Sequence, residues 1–364
     1  MMELKVLAAT ALWVVVERDY PFATYYQNVD LQRLIQVHPR TVCVDPYSGP
    51  GGDPWTLEEL GRLRRAGIRP VAYLTLGVVP RFHPDLFQRA RELGLLGPED
   101  PRWKGDYAVK FWDPRWQEVL AEKLASLREL GFEGVLFDVI DVWTSRWYVR
   151  WFEDVTGRSP DELRELVYRT LARLADVAHS LGMEVYVCAG AAIYDREFGA
   201  FVERHGIKVV TENVIATDNG TLQPAEAFMD ALEVLMTLSR ITDVYDVEYG
   251  LDLEDEEVKR RLTLLLGSTR VREVYVTSPA HDRLGVAVVP AGRSGRVGTA
   301  EARTGRGESS TAGSQRPHRG VPLIPVVPVG RRGKLRPAQS VHPRAGRRYN
   351  PSSRPACGEV PARG

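Results

Sequence analysis

Two apolar segments with the composition of buried β-strands end on acidic residues. Residues 131–141 read Gly-Phe-Glu-Gly-Val-Leu-Phe-Asp-Val-Ile-Asp and carry Asp138 and Asp141, and residues 207–213 carry Glu212 near their end. Cleavage of a glycosidic bond requires two carboxyl groups, because one donates a proton while the other attacks the sugar or activates water. The residues therefore favour a sugar hydrolase with Asp138 and Glu212 as its catalytic pair.

Other strand ends carry further candidates for ligand contact. Asp45 follows the second predicted strand, Asp141 follows the fourth, and Glu248 with Tyr249 closes the seventh. The carboxyl ends of barrel strands meet at one face, where barrel enzymes bind their substrates. A helix cap or an arginine pair readily explains one strand-end acid, but five such acids at one edge indicate a binding cleft.

Aromatic residues are concentrated early in the chain, where all eight tryptophans precede residue 152. Those in loops or helix starts after the third and fourth predicted strands are Trp103, Tyr107, Trp112, Trp143 and Trp147. Carbohydrate clefts use such rings as flat apolar platforms. Trp112 and Trp143 are therefore predicted to contact substrate, with packing between a helix and the sheet as the alternative for Trp112.

A repeating pattern of predicted strands and helices indicates a fold in which the ends of the strands lie close together. Eight predicted strands alternate with helical segments, namely 12–16, 41–46, 69–76, 134–140, 184–189, 208–213, 243–249 and 273–277. Such alternation predicts a parallel sheet. Eight units within about 285 residues fit an α/β fold of the (β/α)8 TIM-barrel type. A doubly wound sheet would more usually show a glycine-rich turn after its first strand.

The segments between the strands carry helix signals. Thr56 and Ser159 each begin a capping box, since each is followed three residues later by a glutamate. The connection 78–114 is too polar and irregular for a helix alone. We expect it to form a long loop that overhangs the site.

The last 74 residues differ in composition from the rest of the chain. They contain 15 Lys or Arg against 3 Asp or Glu, with nine prolines, twelve glycines and neither Phe nor Trp. That composition cannot build a core. We therefore expect a barrel over residues 1–288 and a low-complexity, disordered tail over 289–364. The tail is interpreted either as out-of-frame translation or as a basic arm for a polyanion.

Other chemistries find little support in the residue pattern. The three cysteines are too scattered for a disulfide framework or a zinc site, and no HxH or HExxH spacing exists for a transition metal. No GxSxG motif indicates a serine nucleophile. We expect neither a cofactor nor a metal, with a cation bound by the clustered carboxylates as a rival hypothesis.

Charge and hydropathy limit the partners. Residues 1–290 carry 33 basic and 45 acidic side chains, which argues against nucleic acid as a ligand. The apolar start, 6–16, lacks a signal-peptide cleavage site and is interpreted as a first strand, which favours a cytoplasmic over a secreted protein. No other run approaches the length of a membrane span. An oligo- or polysaccharide is the expected partner, and the sequence gives no oligomeric state.

Four motifs carry a family resemblance, and they lie at residues 44–46, 71–77, 111–116 and 131–138. In this order the chain resembles glycoside hydrolase family 114, the endo-α-1,4-polygalactosaminidase-like barrels, and especially their prokaryotic uncharacterised branch. The resemblance covers residues 12 to about 285. It implies an endo-acting hydrolase of an α-linked amino-sugar polysaccharide.

The resemblance also implies roles for individual residues. Asp138 matches the family nucleophile and Glu212 the acid/base of a retaining mechanism. Asp141 matches a further family acid, and Tyr73 lies in the third-strand motif and is expected to contact substrate.

Two departures from the family pattern affect the expected substrate. A glutamate is common after Gly77, where this chain has Val78-Val79, and an aspartate more often stands at Glu248. The first change removes an acidic contact suited to a cationic amino sugar. A non-catalytic carbohydrate-binding barrel is the alternative function, and it would gain if Glu212 pointed outward or were held in an arginine pair.

Overall fold

The computed structural model describes residues 13–291. Residues 1–12, with most of the apolar start, and residues 292–364, with nearly all of the predicted tail, lie outside the described part. The ordered sheet runs to Pro290, two residues beyond the predicted boundary at 288. Among the helices of the described part, none has both the length and the apolar character needed to cross a bilayer.

The strands and helices alternate along the chain. The strands are β1 Trp13–Val16, β2 Phe22–Thr24, β3 Thr41–Val44, β4 Arg69–Thr75, β5 Val78–Pro80, β6 Leu96–Glu99, β7 Asp106–Val109, β8 Gly134–Asp138, β9 Glu184–Cys188, β10 Ile207–Glu212, β11 Val244–Tyr249, β12 Val274–Thr277 and β13 Val286–Pro290. The α-helices are α1 Leu31–Val37, α2 Leu57–Arg65, α3 Pro84–Glu92, α4 Pro114–Leu130, α5 Arg146–Thr156, α6 Pro160–Ser180, α7 Phe198–Arg204, α8 Ala225–Ile241 and α9 Glu256–Ser268.

Eight strands form a parallel sheet in the order expected for the predicted (β/α)8 barrel. They lie in the order β2-β3-β4-β8-β9-β10-β11-β12, and every neighbouring pair is parallel. Helices fill the connections between them, as parallel strands require. All eight carboxyl ends therefore lie at the same end of the barrel, which we call the mouth.

The first barrel strand differs from the prediction. Residues 13–16 do form a strand, but β1 pairs antiparallel with β13, which in turn pairs antiparallel with β12. The first parallel strand is β2, which is only three residues long. Three residues are too few to show a strand period or a distinct apolar run, so the sequence pattern does not reveal it.

The two ends of the parallel sheet meet beside the mouth. Nδ1 of His281, in the loop after β12, lies 2.8 Å from Oγ1 of Thr24 at the end of β2. The carbonyl oxygen of His281 accepts a hydrogen bond from the backbone N of Tyr26 at 2.9 Å. Deeper down, the rings of Tyr20 and Tyr275 lie 5.6 Å apart. These contacts join the first and last barrel strands along a seam.

Aromatic side chains fill the barrel beneath the mouth. The ring of Phe22 lies 5.0 Å from that of Tyr245 and 5.7 Å from that of Tyr186, and all three residues are buried. Filled interiors are usual for barrels of eight strands. This layer forms the floor on which the residues at the mouth rest.

The predicted helix signals are present. Thr56 and Ser159 form complete capping boxes with Glu59 and Glu162. The buried face of α4 is made of the residues that share its predicted apolar stripe, Trp116, Val119, Leu120, Leu124 and Leu127.

The long connection after β4 has its own structure. It contains α3 and a small antiparallel sheet in the order β5-β7-β6. Val78 and Val79 in β5 are each only 1% exposed. Where a glutamate is common in the resembling family, this chain therefore has a buried apolar strand.

Candidate active site

Asp138 is the last residue of β8 and lies at the mouth. Its Oδ2 accepts a hydrogen bond from the hydroxyl of Tyr73 at 2.7 Å, and its Oδ1 accepts one from the backbone N of Val139 at 2.6 Å. Tyr73 lies in the neighbouring strand β4, one inward position below Thr75, which pairs with Asp138. Two donors that hold both oxygens orient a carboxylate for attack.

Glu212 is the last residue of β10, two strands around the barrel. Its Oε1 accepts a hydrogen bond from the hydroxyl of Tyr249 at 2.6 Å. The thiol of Cys188, at the end of the intervening strand β9, also hydrogen-bonds to this carboxyl group. These contacts are with neutral groups, and neither is an arginine pair of the kind that a non-catalytic barrel would suggest.

The two carboxyl groups are electrostatically unequal. Burial, followed by repulsion from the charge of Asp138, raises the pKa of Glu212 to about 7, and the Tyr249 and Cys188 hydrogen bonds only partly oppose this. Like charges in one site disfavour double ionisation, so Glu212 keeps its proton to a higher pH than an ordinary glutamate. The pair thus combines a group able to hold a proton near neutral pH with a carboxylate held by two donors, which is the division of roles that glycoside cleavage needs.

The backbone turns sharply directly after each of these carboxylates. Val139 has a φ of 57° and Asn213 a φ of 60°, both in the left-handed region. That conformation is unusual for any non-glycine residue and strained for a β-branched one. Val139 is held there by its carbonyl oxygen, which accepts from the backbone N of Gly77 at 3.2 Å. A Cβ at Gly77 would lie 2.2 Å from Cγ1 of Val142, so only glycine allows this approach.

Asp45 and Asp141 lie at strand ends as predicted, and both are engaged with loops. Asp45 is 7% exposed, accepts from the backbone N of Tyr47 and pairs with His83 at 3.3 Å. Asp141 is 4% exposed, and its Oδ2 accepts from the backbone N of Ala191 at 3.0 Å. Both acids fix the loops that shape the mouth.

The structure does not bring Glu248 to the mouth. Successive residues of a strand point to opposite faces. Since Tyr249 points inward to Glu212, Glu248 points outward toward the helices, where it is fully buried. Its two oxygens accept from the backbone N atoms of Ile215 (2.5 Å) and Ala216 (3.1 Å). The predicted substrate contact is therefore corrected to an anchor for the loop after Glu212.

The same loop is held from a second side. Nη1 of Arg261 on α9 donates to the carbonyl oxygens of Ile215 at 3.2 Å and Gln223 at 2.7 Å. Nε2 of Gln223 donates to the carbonyl oxygen of Asn213 at 2.9 Å. The segment that follows Glu212 is thus fixed by buried polar contacts rather than left as a free loop.

Removing the Glu248 anchor is expected to cost stability. Glu248→Ala leaves two buried N–H groups without acceptors, at about 1–3 kcal/mol each, so we expect the free energy of unfolding in urea to fall by about 2–6 kcal/mol. Glu248→Gln keeps one side-chain oxygen as an acceptor and leaves one of the two N–H groups unpaired, so it should lose about half as much. Equal losses in the two variants would contradict the anchoring role.

The predicted aromatic platforms pack against neighbouring rings. Trp112 lies 5.0 Å from the ring of Phe152 and 5.6 Å from that of Trp151, both on α5. Trp143 makes an edge contact with Tyr168 of α6 at 5.7 Å. Both indoles are half-buried in these clusters. For Trp112 the packing alternative describes its observed contacts.

Several residues at the mouth were not predicted from the sequence. They are Tyr26 after β2, Cys188 at the end of β9, Asp218 in the loop after β10, and His281 after β12. Asp218 accepts from Nδ2 of Asn213 at 2.8 Å, and burial raises its pKa to about 6. Position after a strand end was the available signal for His281, whereas Tyr26 follows the strand that the sequence pattern missed.

A metal centre is not preformed in the described part of the chain. Between residues 13 and 291, no three or more His, Cys, Asp or Glu side chains converge in a way that could hold a metal ion. The acids at strand ends are instead divided between the mouth and the outer face of the sheet.

The chain is similar to a described family and to curated proteins. The family described as glycoside-hydrolase family GH114 matches residues 27–263. An uncharacterized protein of Methanocaldococcus jannaschii is 31% identical over 144 residues, which are 38% of this chain and 40% of that protein. An uncharacterized protein of Deinococcus radiodurans is 34% identical over 117 residues, or 30% of this chain and 37% of that protein. The chain thus spans less than half the length of these curated relatives.

Solved structures show the same fold at low sequence identity. The glycoside hydrolase domain of PelA from Pseudomonas aeruginosa is 21% identical, with a TM-score of 0.53, over 73% of this chain and 97% of that one. Ega3 of Aspergillus fumigatus, crystallised in complex with galactosamine, is 16% identical, with a TM-score of 0.50, over 75% of this chain and 96% of that one.

Proposed function

Since the chain belongs to glycoside-hydrolase family GH114, we propose that it is a glycoside hydrolase that cleaves internal α-linkages of a galactosamine-containing polysaccharide. One observation carries the proposal. Asp138 and Glu212 end strands of the same barrel at the same mouth, and the charge of one raises the pKa of the other. The galactosamine complex of the similarly folded Ega3 supports the sugar.

The proposed mechanism is a double displacement with retention. Glu212 transfers its proton to the leaving oxygen while a carboxylate oxygen of Asp138 bonds to the anomeric carbon, so the glycosidic bond breaks and a glycosyl ester forms. Water then attacks the same carbon, gives its proton to Glu212 and releases Asp138. Each group returns to its starting state, and no cofactor takes part.

An amino sugar suits the charge at this mouth. The residues that face one another there include Asp138, Glu212 and Asp218, and no lysine or arginine is among the contacts of Glu212 in the described part. Because Val78 and Val79 follow Gly77, this chain has no carboxylate at the position where the family commonly has a glutamate. Asp218, in the loop after β10, is the acid that we propose to contact the amine instead. The negative charge of these carboxyl groups attracts a protonated amine, whereas it repels an anionic sugar and does not attract a neutral one.

The experiment that tests the function is release of reducing ends from α-linked galactosaminan, galactan and glucan by the full chain. We expect turnover of galactosaminan, with a ladder of intermediate products because cleavage is internal. Release of monosaccharide alone would contradict endo action. Oligosaccharide binding without turnover on any polymer would replace the enzyme with a carbohydrate-binding barrel.

The pH dependence follows from the state of the proton donor. Glu212 must be protonated to cleave the bond, and its raised pKa of about 7 keeps it so below neutrality. We expect kcat/KM on the cleaved polymer to fall tenfold for each pH unit above about pH 7, because the proton donor is then ionised. A fall that begins near pH 4.5 would show an unperturbed carboxyl group instead.

A further inference from the structure

A chain of hydrogen-bonding groups links Glu212 to the seam of the barrel. The hydroxyl oxygen of Tyr249 lies 2.6 Å from Oε1 of Glu212 and 3.0 Å from Nε2 of His281. Nδ1 of the same histidine lies 2.8 Å from Oγ1 of Thr24. Tyr249, His281 and Thr24 are 0%, 3% and 2% exposed, so bulk water does not compete for these bonds.

The bonding capacity of these groups sets the direction of the chain. Ionised Glu212 can only accept, so Tyr249 donates its single hydroxyl proton to Oε1. The tyrosine oxygen is then left to accept, which requires the hydrogen of His281 to be on Nε2. Nδ1 becomes the acceptor and takes the hydroxyl proton of Thr24. The carboxylate of Glu212 thus sets the direction of the chain, and Thr24 stabilises the required tautomer of His281 by donating to Nδ1.

We propose that His281 is a positioning residue that acts through Tyr249 to determine which oxygen of Glu212 carries the transferable proton. This inference rests on the proposed function of Glu212. Because Tyr249 donates to Oε1 in both protonation states, the acid proton is confined to Oε2. The N–H of His281 keeps the tyrosine proton from turning away from Glu212 and polarises the hydroxyl, since hydrogen bonds in a chain strengthen one another.

The ring of His281 is held for this task. It stacks on Tyr26 with the ring centroids 4.4 Å apart, and Tyr26 in turn lies 4.8 Å from the ring of Tyr73, the donor to Asp138. His281 has a φ of 48°, and its carbonyl oxygen accepts from the backbone N of Gln27 at 3.1 Å as well as from that of Tyr26. Backbone strain of this kind persists where surrounding contacts over-determine it.

Other groups around Glu212 also influence its ionisation, so the test leaves them unchanged. They are Asp138 on β8, Cys188 on β9, Cys43 on β3, Tyr26 after β2 and Asp218 in the loop after β10. Variants of Thr24 and His281 alter donation at Oε1 without changing any of these groups.

The test is the titration of Glu212 in the full chain, followed by NMR of carboxyl-labelled glutamate and assigned by the signal lost in Glu212→Gln. Without its donor at Nδ1, the ring can place hydrogen there, and Tyr249 then donates to Nε2 instead of Glu212. We therefore expect Thr24→Val to raise the Glu212 midpoint by about 0.5–1 pH unit, equivalent to losing part of one hydrogen bond to a charged group. His281→Phe removes the polarising N–H but offers Tyr249 no competing acceptor, so its midpoint should rise by less than that of Thr24→Val. Thr24→Ser should restore the wild-type midpoint.

A matched control is His38→Phe. His38 has a similar φ of 57°, and its ring bridges Asp19 (2.9 Å) and the carbonyl oxygen of Ala66 (2.6 Å) at the opposite end of the barrel. The substitution removes two histidine contacts and leaves the hydrogen-bonded chain of Thr24, His281 and Tyr249, which we call the relay, unchanged. We expect the Glu212 midpoint to stay where it is in the wild type.

Each outcome decides between the relay and a merely structural seam. A folded Thr24→Val protein with an unchanged Glu212 midpoint would overturn the proposal. If His281→Phe does not fold, the comparison of Thr24→Val with Thr24→Ser carries the test. Because the titration uses no substrate, absence of turnover would remove the proposed function separately. In an active enzyme, the alkaline limb of kcat/KM should move with the midpoint.

Discussion

Asparagine in place of Asp138 is expected to lower kcat on the cleaved polysaccharide by about 10⁴-fold or more, the range seen when a covalent nucleophile is removed. Asparagine has the same shape and keeps an oxygen that can accept from the Tyr73 hydroxyl, which lies 2.7 Å from Oδ2 in the wild type. The fold and the affinity for an oligosaccharide should therefore change little. Steady-state kinetics, beside calorimetric binding of a galactosamine oligomer, measure the two effects.

The same substitution has a second consequence that needs no substrate. The charge of Asp138 helps to raise the pKa of Glu212 to about 7. A neutral side chain at 138 removes that repulsion, so the Glu212 midpoint should move toward lower pH. An exposed carboxylate on the outer helix α5 offers the control, because Asp154→Asn should alter neither kcat nor the midpoint. Turnover above about 1% of wild type in Asp138→Asn would exclude Asp138 as the nucleophile.

The sequence predicted the scaffold well because its signals are local. Seven of the eight barrel strands were expected near their observed positions, since each is a buried apolar run bounded by turn residues. The predicted capping boxes at Thr56 and Ser159 are present, because each depends on residues only three positions apart. The missing strand, β2, has no such signal in its three residues.

The strand-end positions of the proposed catalytic pair could be predicted, but the contacts that support the two carboxyl groups could not. Asp138 and Glu212 each end a strand, and that position alone directs them to the mouth. Glu248 shows the limit of the same argument, because adjacent residues of one strand cannot both face inward, and Tyr249 occupies the inward position. Which member of such a pair points inward depends on the register with β10 and β12, and a single sequence does not give that register.

His281 illustrates a second limit. Its contacts with Thr24 and Tyr249 join residues 257 and 32 positions apart in the chain. They exist only because the first and last barrel strands meet at a seam, and the first of these was not recognised. Long-range polar contacts of this kind follow from the completed fold rather than from any local pattern.

Glutamine in place of Glu212 should slow the first chemical step only for substrates whose leaving group needs a proton, while the second step should be slow for every substrate. The polysaccharide needs a proton on its departing oxygen, so its turnover should fall by about 10²–10⁴-fold, the usual contribution of general acid catalysis. A dinitrophenyl α-galactosaminide departs without that proton, so its bond-breaking step should fall less than about tenfold. The second step still lacks a base, and the glycosyl-enzyme on Asp138 should accumulate as an initial burst of released phenol.

Added azide tests the origin of that burst. As an anion that needs no general base, azide should attack the glycosyl-enzyme directly, speed steady-state turnover of the aryl glycoside and give an α-glycosyl azide, because two inversions restore the starting configuration. It should not restore cleavage of the polysaccharide, whose first step remains blocked. Glu153→Gln on the exposed face of α5 should behave as wild type in both assays. Equal losses on the polymer and the aryl glycoside, without a burst, would assign the proton transfer to a residue other than Glu212.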